Sequence, residues 1–303
     1  MSKAKPHGIH VSASRSDKIY YGVCYAVILA LVLVVLYPLI YIVSASFSAP
    51  SKVAAGQVWL LPVEPTLYSY ELILQYKNVF IGYGNTIFYT LLGTLLNVAI
   101  TMLCAYPLAR KEFSGRLVFS MIFLFTMVFN AGMIPNYLLM RDLHLLNSRW
   151  AMLLPGAINV YNMIVARTFI QNTIPQELLE ASKLDGCDDI QYFLRIVLPL
   201  STTVIAVITL YYAVAHWNSY FNAFLYLSDR KLYPLQILLR QILVQNNFDT
   251  SEVTDPDLAQ QLQGLSEVLK YSVIVVSTAP LMCLYPFVQR HFVKGVMIGA
   301  VKG

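Results

Sequence analysis

The sequence predicts an all-α, polytopic membrane protein with six transmembrane helices and a short two-helix coupling element on the cytoplasmic side. Three observations carry this expectation. Of 303 residues, 57% are hydrophobic and 12% charged, with a mean hydropathy of +0.60, an apolar excess that a soluble fold of this size does not bury. Six windows hold no Asp, Glu, Lys or Arg, and a helix needs about 20 apolar residues to cross about 30 Å of hydrocarbon. The basic residues of the two tails and of the link after the second window all fall on one side of the expected membrane.

Taken in order, a basic cytoplasmic tail over residues 1–18 carries Lys3, Lys5, Arg15 and Lys18. The first window follows, Ile19 to Phe47. Its leader and the small residues Ser44-Ala45-Ser46 imitate a secretory signal, but the apolar run is too long for a cleaved one. The second window runs from Tyr83 to Ala109, with Gly82-Tyr83-Gly84 punctuating its start. The third spans Leu117 to Met140, the fourth Trp150 to Ala166, the fifth Ile196 to Trp217 and the sixth Tyr271 to Gln289. Together these make a membrane domain over residues 19–290, followed by a cytoplasmic tail over 291–303.

Six spans place both termini on one side, and the basic tails together with Arg110, Lys111 and Arg116 assign that side to the cytoplasm. The formal charge of +5 is therefore topological and not a nucleic-acid signature. The exterior links are about Ser48 to Gly82, Arg141 to Arg149 and the polar, acidic stretch Asn218 to Lys270. Cys24, Cys104, Cys187 and Cys283 are scattered, with neither disulfide nor zinc spacing. A Gly-rich phosphate loop, a His-Glu-x-x-His motif and a Gly-x-Ser-x-Gly motif are all absent from the sequence, which argues against a nucleotide site or a hydrolase site in this chain. Asp188-Asp189 is the nearest approach to a carboxylate pair, and its place after Gly186 suits a helix start better than catalysis.

The segment 173–199 reads as a docking element for another protein. Thr173-Ile174-Pro175-Gln176 fits a capping box, with the proline in the first turn where its missing donor costs nothing. Gln176 to Leu184 then forms a short helix offering Leu178, Leu179 and Ala181 for packing, with Glu177, Glu180 and Lys183 spaced three apart. Asp185-Gly186 closes it, Asp188 with Gln191 begins a second helix, and Pro199 near the head of the fifth span fixes the angle between connector and span.

The run Glu180-Ala181-Ser182-Lys183-Leu184-Asp185-Gly186, followed ten positions after its glycine by Ile196-Val197-Leu198-Pro199, resembles the signature cytoplasmic loop of permease subunits in binding-protein-dependent ABC importers. The order of spans, the end His291-Phe292-Val293-Lys294-Gly295 and the terminal Gly299-Ala300-Val301-Lys302-Gly303 are similar to carbohydrate permeases of the maltose-permease type. Asn130 to Pro135 and His216 to Asn222 look like the branch that imports larger or acidic oligosaccharides. The resemblance implies that Glu180, Ala181, Ser182, Asp185 and Gly186, with Ile196, Leu198 and Pro199, couple the chain to a cytoplasmic ATPase. It implies that Ser182 stands where the family usually has alanine, and that Gly295 to Gly303 reaches toward the ATPase dimer.

It further implies a bacterial cytoplasmic (inner) membrane location, no cofactor on this chain, and ATP with Mg on two partner ATPase subunits. A second related permease, an extracytoplasmic solute-binding protein, a carbohydrate substrate and membrane lipid complete the expected partners. A sugar path needs hydroxyl-matching groups and aromatic faces. Candidates are Asn130, Asn136 and Tyr137 near the third span, Asn159, Tyr161 and Asn162 in the fourth, and Tyr211, Tyr212, His216 and Trp217 closing the fifth. Each equally suits an interhelical hydrogen bond or an interfacial aromatic belt. Gly93 suits close helix packing. The competing classes are a self-contained secondary transporter, disfavoured by spans without carboxylates, and a membrane enzyme, which lacks paired catalytic groups.

Overall fold

The computed structural model describes residues 14–245, 255–257, 265 and 268–283. Among these residues every regular element is helical. The tail over 1–13, the loop polar run after Gln245 and the carboxyl end beyond Cys283, with the motifs placed there, lie outside the described residues.

Helix α1 (Arg15–Ser46) opens on Ser14, whose backbone N–H donates to Asp17 Oδ2 at 2.9 Å in a capping box. Two short helices follow, α2 (Pro50–Ala54) and α3 (Tyr68–Gln75), before α4 (Lys77–Ala109). The start of α4 lies six residues ahead of the charge-free window, so Gly82 is interior to the helix and not its punctuation. There it admits a neighbour: a Cβ on Gly82 would stand 3.0 Å from Leu235 Cα.

The third predicted span is two helices, α5 (Arg116–Val128) and α6 (Met133–Asp142), bent by 115°. Gly132 holds φ +88° at the break, a conformation with a steric cost for any side chain, and Asn130 Oδ1 accepts from its N–H at 2.9 Å. The fourth window is also broken. Helix α7 (Trp150–Leu153) stops before Pro155 and Gly156, and α8 (Val160–Thr173) restarts on Asn159, whose side chain accepts from Asn162 N at 3.1 Å. Because a charge ends a hydropathy window but not a helix, α8 continues past Ala166 and carries Arg167 within it.

Helix α9 (Gln176–Leu184) leads to α10 (Asp189–Leu200), which contains a π turn over Phe193–Val197. An 80° bend at Ser201 separates α10 from α11 (Thr202–Trp217), so Ile196, Leu198 and Pro199 belong to the connector and not to the span. Helices α12 (Phe221–Tyr226), α13 (Leu235–Gln245) and α14 (Val268–Cys283) complete the described chain.

By length and composition two helices, α1 and α4, suffice to cross a bilayer unbroken, and each bent pair supplies one more crossing if counted together. The core centres on α4. Met102, Ala105 and Leu108 of α4 pack with Met163, Ala166 and Ile170 of α8, Val204, Ile208 and Tyr212 of α11, and Leu179, Tyr192, Phe193 and Val197 of the connector. The connector is therefore part of the central core, which supplies the tertiary support that a nine-residue helix needs. A second cluster joins α3, α4, α13 and α14, and Trp217 Nε1 of α11 donates to Ser277 O of α14 at 3.0 Å.

Candidate functional site

At one end of the bundle, the α9–α10 connector is built around two local devices. Gly186 at φ +78° closes α9 in a Schellman arrangement: its N–H donates to Lys183 O at 3.1 Å, and Cys187 N donates to Ser182 O at 2.9 Å. Asp188 Oδ1 accepts from Gln191 N at 2.6 Å and starts α10. The expected capping box is not formed, because Thr173 is the last residue of α8 and Pro175 occupies the cap of α9 without a side-chain acceptor.

The buried face of α9 also differs from the expected one. Leu179 and Ser182 are buried, whereas Leu178 and Ala181 are exposed, and Ser182 Oγ donates to Leu179 O at 2.8 Å. Ser182 thus spends its hydroxyl within its own helix. Glu180, Ala181 and Asp185 remain on the outer surface beside Leu184, which is 90% exposed. Ile196 and Leu198 pack against the central core, while Pro199 is exposed.

Ion pairs hold the connector to the α4–α5 link. Glu112 Oε2 accepts from Lys183 Nζ at 3.0 Å and from Arg110 Nη2 at 2.8 Å, and Arg110 also pairs with Asp189. Lys183 first, and Arg110 after it, hold the Glu112 carboxyl below the usual range for glutamate. A cavity of about 530 Å³ lies behind this network, with Tyr106, Arg116, Gln171 and Tyr192 among its walls.

A second cavity, of about 550 Å³, opens between α4, α8 and α11. Six of the ten candidate pathway residues line it: Asn159, Tyr161, Asn162, Tyr211, Tyr212 and His216. The break between α7 and α8 makes this possible, since Pro155, Gly156 and Asn159 form its rim. Tyr212 organises the wall: its hydroxyl lies 2.7 Å from Thr101 Oγ1 and accepts from Asn159 N at 3.0 Å, joining three helices at one oxygen. The lining carries amides, phenols and one imidazole, and no Asp, Glu, Lys or Arg.

Four candidates lie elsewhere, Asn136 among them, exposed on α6. Asn130 is at the α5–α6 break, bonded to Gly132, and Trp217 is buried against α14. Likewise Tyr137 stacks on Tyr226, 6.4 Å between ring centroids. Sequence reasoning missed Asn97, Ser219 and Asn222, which also line the cavity. Asn97 lies midway along α4, 3.1 Å from His216 Nε2, with its Oδ1 shielded and unpartnered among the described residues. An asparagine amid apolar residues of a membrane helix was the available signal.

A family model described as the inner membrane component of binding-protein-dependent transport systems matches residues 97–298. The chain belongs to this family. The matched stretch takes in both the connector and the 550 Å³ cavity. The permease is 38% identical over 290 residues to the polygalacturonan/rhamnogalacturonan transport system permease protein YtcP of Bacillus subtilis (strain 168), covering 95% of this chain and 99% of that one. It is 40% identical over 266 residues to protein LplC of the same organism, covering 88% and 89%. In a crystal structure of a bacterial ABC transporter involved in the import of the acidic polysaccharide alginate, one chain matches with a TM-score of 0.85 and 38% identity, over 92% of this permease and 99% of that chain. Membership sets aside the secondary-transporter and membrane-enzyme alternatives. The chain is a transport component of an ABC system in the inner membrane.

Proposed function

We propose that this permease is one of two related, six-span subunits that import an oligosaccharide, driven by ATP on two cytoplasmic partner ATPases and supplied by an extracytoplasmic binding protein. The observation that carries the proposal is a direct covalent path. The connector that bears Glu180, Ala181 and Gly186 runs through α10 into α11, and α11 brings Tyr211, Tyr212 and His216 to the cavity wall.

In this reading Glu180, Ala181, Leu184, Asp185 and Gly186 dock in a groove of the ATPase, and α10 transmits its displacement. Alternating access follows as a rigid-body change, with α11 tilting against α4 and exposing the cavity first to one side and then to the other. The basic links favour placing both termini and the connector in the cytoplasm. Amides and hydroxyls in the wall would meet sugar hydroxyls, and Tyr161 and Tyr211 would meet ring faces. The substrates for which these relatives are named favour an oligosaccharide from an acidic polysaccharide. With no cation in its lining, this cavity would hold hydroxyls and leave carboxylates to the binding protein or the second permease.

The test is purification of the tagged permease in mild detergent, followed by reconstitution with the proteins that remain bound. Recovery of a second permease and an ATPase whose activity rises with a loaded binding protein is the expected result. A chain that purifies alone and binds no ATPase overturns the reading.

A further inference from the structure

Arg167 lies inside a helix of the central core, half-buried, and has neither an acidic partner nor an aromatic face among the described residues. It sits on α8, one turn before Gln171, whose side-chain amide donates toward Leu108 O at 3.5 Å and Ala109 O at 3.4 Å at the end of α4. Arg167 is therefore about one helical turn, roughly 6 Å, inside that end of the bundle. Its Nη1 donates to Ser120 Oγ of α5 at 3.2 Å, and its Nε is shielded with no partner among the described residues.

Ser120 is four residues beyond Arg116, so both lie on the same face of α5, and that face meets α8. Arg116 likewise forms no ion pair among the described residues. It also lines the 530 Å³ cavity together with Arg110 and Lys111. The nearby carboxylates are already committed, Glu112 to Lys183 and Arg110, and Asp189 to Arg110. Arg116 thus stands one helical turn from Ser120, the hydrogen-bond partner of Arg167, and neither guanidinium has an acidic partner among the described residues. A shielded guanidinium N–H left unbonded is costly, and an anion between the two would satisfy it.

We propose that Arg116 and Arg167 form a site for the phosphate of an anionic phospholipid headgroup, held between the α5 amino end and α8. The depth of Arg167, within one turn of the helix end, is that of a lipid phosphate reached by a snorkelling side chain. The exposed flank of α5, with Leu117, Val118, Met121 and Ile122, offers acyl chains an apolar surface beside the arginines. The placement in the cytoplasmic leaflet rests on the proposed orientation. The chemistry of the site does not.

The test uses the intact complex in phosphatidylcholine nanodiscs, with phosphatidylglycerol titrated in and retained lipid counted by native mass spectrometry after release. Arg116→Gln and Arg167→Gln should each lower phosphatidylglycerol retention about tenfold, as expected for loss of a charge-assisted contact. Arg167→Lys should restore part of it. Because Arg116 is at the helix end, its variant remains informative if Arg167→Gln fails to assemble. Equal phosphatidylglycerol retention by wild type and both variants overturns the proposal. So does displacement of the lipid by millimolar inorganic phosphate, which would make the ligand a free anion. Loss of the second permease with lipid retention unchanged also overturns it, by assigning the arginines to a carboxylate of that subunit. Transport itself is not the readout, so failure of this proposal is distinguishable from failure of the importer reading.

Discussion

Gly93 lies directly beneath the imidazole of His216: a Cβ built on Gly93 would fall 2.5 Å from both Cε1 and Nε2 of the ring. The ring has little room to yield, because it is buried and its Nε2 is 3.1 Å from the Asn97 amide. Gly93→Ala should therefore cost about 1–3 kcal/mol, the usual penalty for overpacking. It should also lower the thermal midpoint of the purified complex. An unchanged midpoint would show that α4 and α11 separate more easily than this contact suggests.

Tyr212→Phe should destabilise the chain by about 1–3 kcal/mol, because it strands the fully buried Thr101 hydroxyl and the Asn159 N–H. Thr101→Val removes the other end of one bond. A double-mutant cycle in denaturant should give a double variant clearly less damaged than the sum of the singles; strict additivity would argue against the shared bond.

Gly186→Pro and Glu180→Lys should uncouple transport while the protein still reaches the membrane, since both change the connector and leave the spans intact. Leu184→Asp, at an apolar side chain that is 90% exposed, should do the same. The expected effect is about a tenfold fall in binding-protein-stimulated ATPase activity of the reconstituted complex, the scale of one strong interface residue. Normal uptake by all three at normal expression would remove the docking assignment.

The Glu112 network gives a pH expectation. Its carboxyl is held below the ordinary glutamate range, chiefly by Lys183. The stabilisation is thus complete above the unfolded-state pKa and lost as pH falls through the lower folded-state value. Amide exchange over Gln176–Leu184 should therefore show constant protection from pH 8 to about pH 5 after correction for intrinsic rates. Glu112→Gln should loosen α9 at neutral pH. Protection in that variant equal to wild type would mean that the core contacts of Leu179 alone fix the connector.

Composition and charge-free windows made the helical membrane fold legible, and the Asp185-Gly186 and Asp188 signals located both connector helices. What escaped were the interruptions. Hydropathy sums side chains and is blind to the backbone, so it joined α5 to α6 across Gly132 and α7 to α8 across Pro155, and it stopped α8 at Arg167 although the helix continues to Thr173. The capping-box pattern at Thr173 failed because that residue was already claimed by the preceding helix. On the cavity wall, Asn159 and Tyr212 were visible as polar groups in apolar windows, while Asn97 was overlooked in the longest core helix.

Helix α1 differs from the other long helix in how it is held. None of its most apolar window is buried within the chain, and it is fastened at its exit end, where Ser44, Ala45 and Ser46 are buried. There Ser44 Oγ donates to Leu60 O at 2.7 Å and Ser272 Oγ to Ser46 O at 3.2 Å. A helix pinned at one end transmits force but little torque from the chain's own core. In the proposed transport cycle, a change of tilt among α4, α8 and α11 would therefore leave most of α1 behind in the lipid, the helix following only through the contacts at its exit end.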